Sequence, residues 1–356
     1  MRLSPGYRVV GGLCPMYIGT FWAFGGPCLE SAMMAFTSGD RATAKSMNII
    51  DLRQATVRQL EPLLLEEASH WREELHWDYR SAVELIKRFL DAHALSGCAA
   101  LKNDTAVGYS FYVLEECKGL IGGLYVSPSQ NQAPIGRKLL EEMLYNMRAL
   151  PQMQRIEAQL MPFGGPVDEA LREQGFRLHT RRFMLLNLRQ QKEPAPGIDS
   201  GLRLDRWNDR YFEPCAKLIY LAYANHIDGE INDQYRSRHG ALKFLKNIIH
   251  LPGCGQFLTT ASFVLRHPGS DELVAAVLTS EVAAGVGHTT QLCVQPGFQG
   301  HGLGRALMQT SSDALRSMHY KELSLTVTDE NRAAVQLYEN LGFATVKLFT
   351  AGVWPR

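Results

Sequence analysis

Four glycines in the last third of the chain have the spacing of an anion site. Gly297, Gly300, Gly302 and Gly304 lie in Val294-Gln-Pro-Gly-Phe-Gln-Gly-His-Gly-Leu-Gly-Arg-Ala-Leu307. An apolar run from Thr289 to Val294 predicts a strand leading in, and Leu303, Leu307 and Leu315 predict a helix leading out. A helix start leaves backbone N–H groups without partners. Glycines let an anion come close to them, and the helix dipole favours negative charge there. The chemistry expected is the cradling of a pyrophosphate. A Walker loop is excluded, because Leu303 and Gly304 stand where Lys and Ser or Thr are needed. A dinucleotide fingerprint is excluded too, because the last glycine comes one residue early.

A second cluster follows at Asn331-Arg-Ala-Ala-Val-Gln-Leu-Tyr-Glu-Asn-Leu-Gly-Phe343. Ala334, Leu337, Tyr338 and Leu341 recur at helical spacing, and Gly342 is placed to end the helix in a left-handed turn. Leu323 to Thr328 alternates and predicts a half-buried strand before it.

Gln-x-x-Gly-x-Gly at Gln299, Gly302 and Gly304, followed by Asn-x-x-Ala-x-x-Leu-Tyr-x-x-x-Gly-Phe, resembles the GNAT superfamily of N-acyltransferases in motif order and distance. The resemblance implies acetyl-CoA as cosubstrate and no metal. Its pyrophosphate would lie on Gln299, Gly300, His301, Gly302, Leu303 and Gly304, with Arg305 adjoining. A strand N–H near Cys293 or Val294 would polarise the acetyl carbonyl. Tyr338 resembles the family's usual proton donor to the departing thiolate, and the alternative is a core tyrosine. Asn331 either contacts the pantetheine arm or caps its helix. The attacking amine must lose a proton, and Glu281 or His288 could take it, directly or through water. Either could equally be a structural strand residue.

The elements that must position these groups occur twice. Val126, Pro128, Gly136, Arg137 and Leu139 match Val294, Pro296, Gly304, Arg305 and Leu307 at one offset (294 − 126 = 168). Gly175-Phe176 matches Gly342-Phe343 at nearly the same offset. The expected fold class is therefore α/β (α+β): two tandem GNAT folds, each a mixed, mostly antiparallel sheet flanked by helices. Residues 47–189 form a degenerate domain, 190–201 a Pro-containing linker and 202–356 the catalytic domain. In the first loop Asn131, Gln132 and Pro134 replace Gln299, Gly300 and Gly302, and proline offers a phosphate no N–H. In the second domain the polar, acidic segment 226–235 would line the acceptor side. Asp228, Glu230 and Tyr235 there are candidates to receive a cationic substrate, and the alternative is a solvated loop. Residues 1–46 differ in character. Met47 before a clean domain start suggests an extension that is poorly ordered or not made.

Net charge is +1 with no long charge run, which gives no footprint for nucleic acid or an anionic membrane. The apolar run from Val9 to Phe24 is broken by Pro15 and glycines, against a membrane anchor. Seven scattered cysteines without a Cys-x-x-Cys pair read as reduced thiols of a cytoplasmic protein. No His-Glu-x-x-His or Gly-x-Ser-x-Gly motif supports a metalloprotease or hydrolase. The expectation is an acetyl-CoA-dependent N-acetyltransferase acting by direct transfer on a primary amine, most simply a small molecule. The alternatives are a protein N-terminal or lysine acetyltransferase, and a non-catalytic acyl-CoA-binding regulatory module. The sequence fixes neither the acceptor nor the oligomeric state.

Overall fold

The computed structural model describes residues 47–190, 201–270 and 272–355. The expected extension 1–46 and most of the expected linker 190–201 lie outside the described residues. The N-terminal half runs β1 (Asn48–Asp51), α1 (Val57–Leu75), α2 (Arg80–Asp91), β2 (Ser96–Lys102), β3 (Thr105–Glu115), β4 (Lys118–Val126), α3 (Gln132–Arg148), β5 (Arg155–Leu160), α4 (Asp168–Glu173) and β6 (Arg177–Asn187). The C-terminal half runs β7 (Arg203–Arg206), α5 (Phe212–Tyr223), α6 (Ile227–Ile231), α7 (Arg238–His250), β8 (Gln256–Phe257), β9 (Phe263–Arg266), β10 (Leu273–Ala283), β11 (Val286–Val294), α8 (Leu303–Ser317), β12 (Glu322–Thr328), α9 (Arg332–Asn340) and β13 (Ala344–Trp354).

Local chemistry sets several boundaries. Thr56 and Gln59 cap α1 reciprocally. Asn103 and Asp104, at φ 52 and 63, make the tight turn between β2 and β3. Gly342, at φ 92, ends α9 as expected. Segment 226–236, which read as polar loop, is α6 followed by a 3₁₀ turn over Asp233–Arg236. His226 and Asn232 each accept from a backbone N–H two residues on, so short capped turns replace a periodic helix.

The strands form one sheet in the order β1-β2-β3-β4-β5-β13-β6-β12-β11-β10-β9-β7, with β8 paired to β10. The two halves exchange their last strands. β13, from the C-terminal half, lies between β5 and β6, and β6 pairs with β12 across the seam. Every pairing is antiparallel except β4 with β5 and β11 with β12. Those two parallel pairs are short. Lys118–Ile121 pairs with Arg155–Ala158, Val286–Thr289 pairs with Glu322–Leu325, and then each pair diverges. One residue past each divergence the outer strand bulges, at Gly122 against β3 and at Thr290 against β10. A bulge bends its strand, so both halves open a gap at the same point.

The core follows this symmetry. One cluster buries α8 and α9 on the C-terminal half, and another buries α3 and α4 on the N-terminal half. A third lies between the halves, joining Trp71, Trp77 and Tyr79 to Tyr211, Tyr223 and Tyr235. Among the described residues no helix is long and apolar enough to cross a membrane. Cys98, Cys117, Cys215 and Cys293 are free thiols.

Candidate active site

The glycine loop sits between β11 and α8. The Gln299 side-chain amide donates to the Val294 carbonyl at 3.1 Å and folds the loop back on its strand. Gly300 and Gly302 take φ of 82 and 77, a left-handed region that favours glycine. Gly302 is the N-cap of α8, and no side chain caps that helix. A Cβ built at Gly297, Gly300 or Gly302 would meet nothing within 4 Å. Glycine is therefore required by backbone conformation, and the space before the loop is open. His301 is exposed, while Leu303 and Gly304 turn into the core. Uncapped N–H groups, a helix dipole and open space fit the pyrophosphate of an acyl-CoA.

The N-terminal half lacks this fit. Its corresponding helix start carries Pro134. The Gln132 side-chain amide reaches both the Val126 carbonyl, at 2.8 Å, and the Phe163 carbonyl, at 3.3 Å, tying the end of β4 to the turn that follows β5 across the gap. A Cβ at Gly122 would come within 2.1 Å of the Phe111 ring, so that ring lies directly on the bulge.

Beyond Thr289 and Leu325 the C-terminal gap is lined from both faces of the sheet. Tyr338 enters from α9, fully buried, and its hydroxyl has no hydrogen-bond partner among the described residues. Burial, then the charge on Asp228, push its pKa well above the usual tyrosine range. Cys293 and Val294 are buried at the end of β11, and burial pushes the Cys293 thiol up to about 12. Asn331 caps α9, its Oδ1 accepting from the Ala334 N–H at 3.2 Å, which is the capping alternative of the sequence reading.

His288 faces the opposite side of the sheet, opposite Ser324 in the parallel pair. Its Nδ1 lies 2.9 Å from the Ser324 hydroxyl, which donates to the Gly287 carbonyl at 3.2 Å. A hydroxyl has one proton to give, so Nδ1 is the protonated nitrogen and Nε2 keeps its lone pair. Nε2 is buried without a partner, between Trp77 (ring centroids 4.9 Å) and Phe183 (6.1 Å). Burial pushes His288 down to about 3, so the ring is neutral. Glu281 lies elsewhere. It sits toward the hairpin end of β10, accepts from the Gly285 N–H at 3.3 Å, and lines a cleft of about 980 Å³ between the halves.

Two of the three acceptor candidates come to the gap. Asp228 is fully buried, and its Oδ1 accepts from the Thr328 hydroxyl and lies 3.5 Å from the Arg181 guanidinium. Tyr235 donates to Gln291 at 3.3 Å, Gln291 donates to Tyr223 at 2.8 Å, and the two tyrosine rings lie 4.4 Å apart. Glu230 instead pairs with Arg177 at 2.8 Å in an exposed position on the seam. The N-terminal half holds this whole segment. Lys118 pairs with Asp233 at 2.5 Å, the Asp233 N–H donates to Glu157 at 3.1 Å, and Arg155 donates to the Glu230 carbonyl. Arg181, Thr328, Ser324 and Gln291 were missed by the sequence reading. Their partners stand on strands and helices far away in the chain, and no local spacing marks them.

Residues 232–343 match the family model described as Acetyltransferase (GNAT) family. The chain is 37% identical over 84 residues to mycothiol acetyltransferase of Beutenbergia cavernae, covering 24% of this chain and 28% of that protein. It is 36% identical over 80 residues to the [ribosomal protein bS18]-alanine N-acetyltransferase of Salmonella typhimurium, covering 22% and 54%. The chain thus spans about a quarter of the first mycothiol acetyltransferases it matches. Among solved structures, a GCN5-related N-acetyltransferase from Sphaerobacter thermophilus superposes with a TM-score of 0.60 at 16% identity, over 86% of this chain and 95% of that one. A tandem GNAT protein from the clavulanic acid biosynthesis pathway superposes at 0.58 and 15%, over 86% and 98%. The fold is the tandem GNAT fold, and the GNAT match of the sequence lies in the C-terminal half.

Proposed function

We propose that the protein is an acetyl-CoA-dependent N-acetyltransferase whose C-terminal half moves an acetyl group directly to a primary amine. The observation that carries this reading is the gap between β11 and β12. It opens beside an uncapped glycine loop and receives, from α9, a buried tyrosine hydroxyl with no partner. Acetyl-CoA supplies the activated acetyl group. Gln299 to Gly304 would hold its pyrophosphate, and β11 near Cys293 would offer an N–H to the carbonyl. Asp228 receives the amine, having one carboxylate oxygen, Oδ2, buried without a hydrogen-bond partner. The amine gives up its proton to water, because burial holds His288 near 3, too low to take a proton from an ammonium. Ser324 and Thr328, which mark the two ends of the floor of this gap, are four residues apart, roughly 13 Å at the rise of a strand, so His288 stands well away from Asp228. Tyr338 returns a proton to the thiolate.

A small acceptor is favoured because the floor is closed. Asp228, His288, Gln291, Thr326 and Thr328 are all fully buried under segment 226–236 and Trp77, which leaves little room for a folded polypeptide. The names of the mycothiol relatives and of the tandem neighbour point the same way. The likeness to a ribosomal-protein alanine acetyltransferase favours a second reading, a protein α-amine. The test is thiol release from acetyl-CoA across a panel of small amines and N-terminal peptides. Turnover of a small amine, slowed roughly 10²-fold in Tyr338→Phe, is the expected result. Turnover of peptides alone would favour the second reading. Tight acetyl-CoA binding with no turnover on any amine would leave an acyl-CoA-binding module.

A further inference from the structure

One of the two strands beside β12 in the sheet, β6, does not come from the half that holds the glycine loop. Past Leu325, β12 loses β11 and keeps β6, with Thr328 opposite Arg181 and Thr326 opposite Phe183. Arg181 is fully buried. Its guanidinium donates to the Thr328 hydroxyl at 3.2 Å and to the Thr326 hydroxyl at 3.3 Å, and lies 5.8 Å from the Phe349 ring centroid. Thr328 passes its own proton to Asp228 Oδ1. Arginine, threonine and carboxylate therefore form one chain across the seam.

The other carboxylate oxygen is unmatched. Oδ2 of Asp228 lies 3.5 Å from His226 Nδ1, but that nitrogen accepts from the Asp228 N–H at 3.1 Å and so presents a lone pair, not a proton. Burial also lowers the His226 pKa. Apart from Arg181, the buried titratable groups around Asp228 are neutral as well. Tyr223 on α5, Tyr235 in the 3₁₀ turn, Cys293 on β11 and Tyr338 on α9 all have raised pKa values, with burial the largest cause in each. Among the described residues, Arg181 is the cation within ion-pair reach of this buried carboxylate. A buried carboxylate without a cation protonates or turns away, and a neutral carboxyl cannot hold an ammonium.

We infer that Arg181, carried in by the last strand of the N-terminal half, is a positioning residue for the acceptor. It holds the Asp228 side chain in place, with Oδ1 tied to Thr328 and the guanidinium beside it, which leaves Oδ2 for the incoming ammonium. The inference rests on the reading of Asp228 as the amine's receiver. It also gives the half without a glycine loop a direct part in substrate recognition.

The test compares Arg181→Met, Arg181→Lys, Asp228→Asn and the Arg181→Met/Asp228→Asn double variant in the full chain, using acetyl-CoA and the best amine of the panel. Arg181→Met is expected to raise the acceptor KM at least tenfold and to leave the acetyl-CoA Kd within twofold. Arg181→Lys, which keeps the charge but not the fork to both threonines, should recover part of the loss. The double variant should be no worse than Asp228→Asn alone, because Arg181 acts through Asp228. An arginine that only holds strands together would lower the melting temperature and leave the acceptor KM unchanged. A folded Arg181→Met with wild-type acceptor KM, or a double variant whose losses multiply, would overturn the inference. If Arg181→Met does not fold, Arg181→Lys decides, and a wild-type acceptor KM there counts against it. A wild-type KM in Asp228→Asn would instead remove Asp228 from acceptor binding, and this inference with it.

Discussion

Tyr338 gives the sharpest test of acetyl transfer, because its hydroxyl is buried with no partner. Replacing it by Phe breaks no hydrogen bond, so stability should hold or rise. If the hydroxyl protonates the leaving thiolate, kcat should fall roughly 10²-fold with the acetyl-CoA Kd unchanged. A core tyrosine predicts an unaltered rate. Two buried groups should tilt stability in opposite directions with pH. His288 is pushed down from 6.5 to about 3, so the unfolded chain binds the extra proton between those values. Its contribution is present above pH 6.5 and is lost on acidification through that window. Glu67, held by Tyr109 at 2.6 Å, is pushed up by burial from 4.5 to about 7, so the folded chain binds the extra proton. Its contribution is present below 4.5 and is lost as pH rises toward 7. Each tilt is at most about 1.4 kcal/mol per pH unit. In urea titrations from pH 5 to 6.5, His288→Asn should flatten the rise of stability with pH and Glu67→Gln should steepen it. Shifts of the same sign in both variants would contradict these buried states. Tyr338, His288 and the glycines could be picked out because the motif or the strand run names their positions. Arg181 could not, since Thr328, its partner, lies 147 residues away.

At the level of elements, the glycine loop and the N-terminal loop make opposite statements about the cofactor. Gly302→Val would place a branched side chain at φ 77, which L residues avoid, on the open side of the loop. Acetyl-CoA affinity should fall at least roughly tenfold, about 1.4 kcal/mol, in a chain that still folds. Calorimetry on the unaltered chain should give one acetyl-CoA per chain, because Gln132 bridges the other gap and Pro134 removes an N–H there. Two sites per chain would show that the N-terminal loop is competent. The loss of the first cradle was visible in the sequence as Pro134. The Gln132 bridge was not, because its second acceptor, the Phe163 carbonyl, is brought near only by the sheet. The acceptor segment hid its helix for a different reason. His226 and Asn232 cap two short turns in succession before Ser237 starts α7, so neither turn is long enough to show a period.

For the molecule as a whole, the internal repeat announced two similar halves, and the two matching bulges and diverging pairs answer to it. The exchange of last strands was not legible. β6 and β13 are both 11-residue strands that could equally close their own halves, and only the register across the seam separates the alternatives. Because of the exchange, neither half is a complete sheet. A chain divided between residues 190 and 201 should give two fragments that fold poorly apart and form a one-to-one complex when coexpressed. Two fragments that are each monomeric and cooperatively folded by circular dichroism would count against the exchange. The same feature orders events on the ribosome. Residues through Asn187 emerge first, yet the slot between β5 and β6 stays empty until β13 at Ala344–Trp354 has been made. At 5–20 residues per second the intervening stretch of roughly 157 residues takes about 8 to 31 s. Through that interval the nascent chain exposes unpaired edges of both β5 and β6, and it is then that a chaperone would have the most to cover.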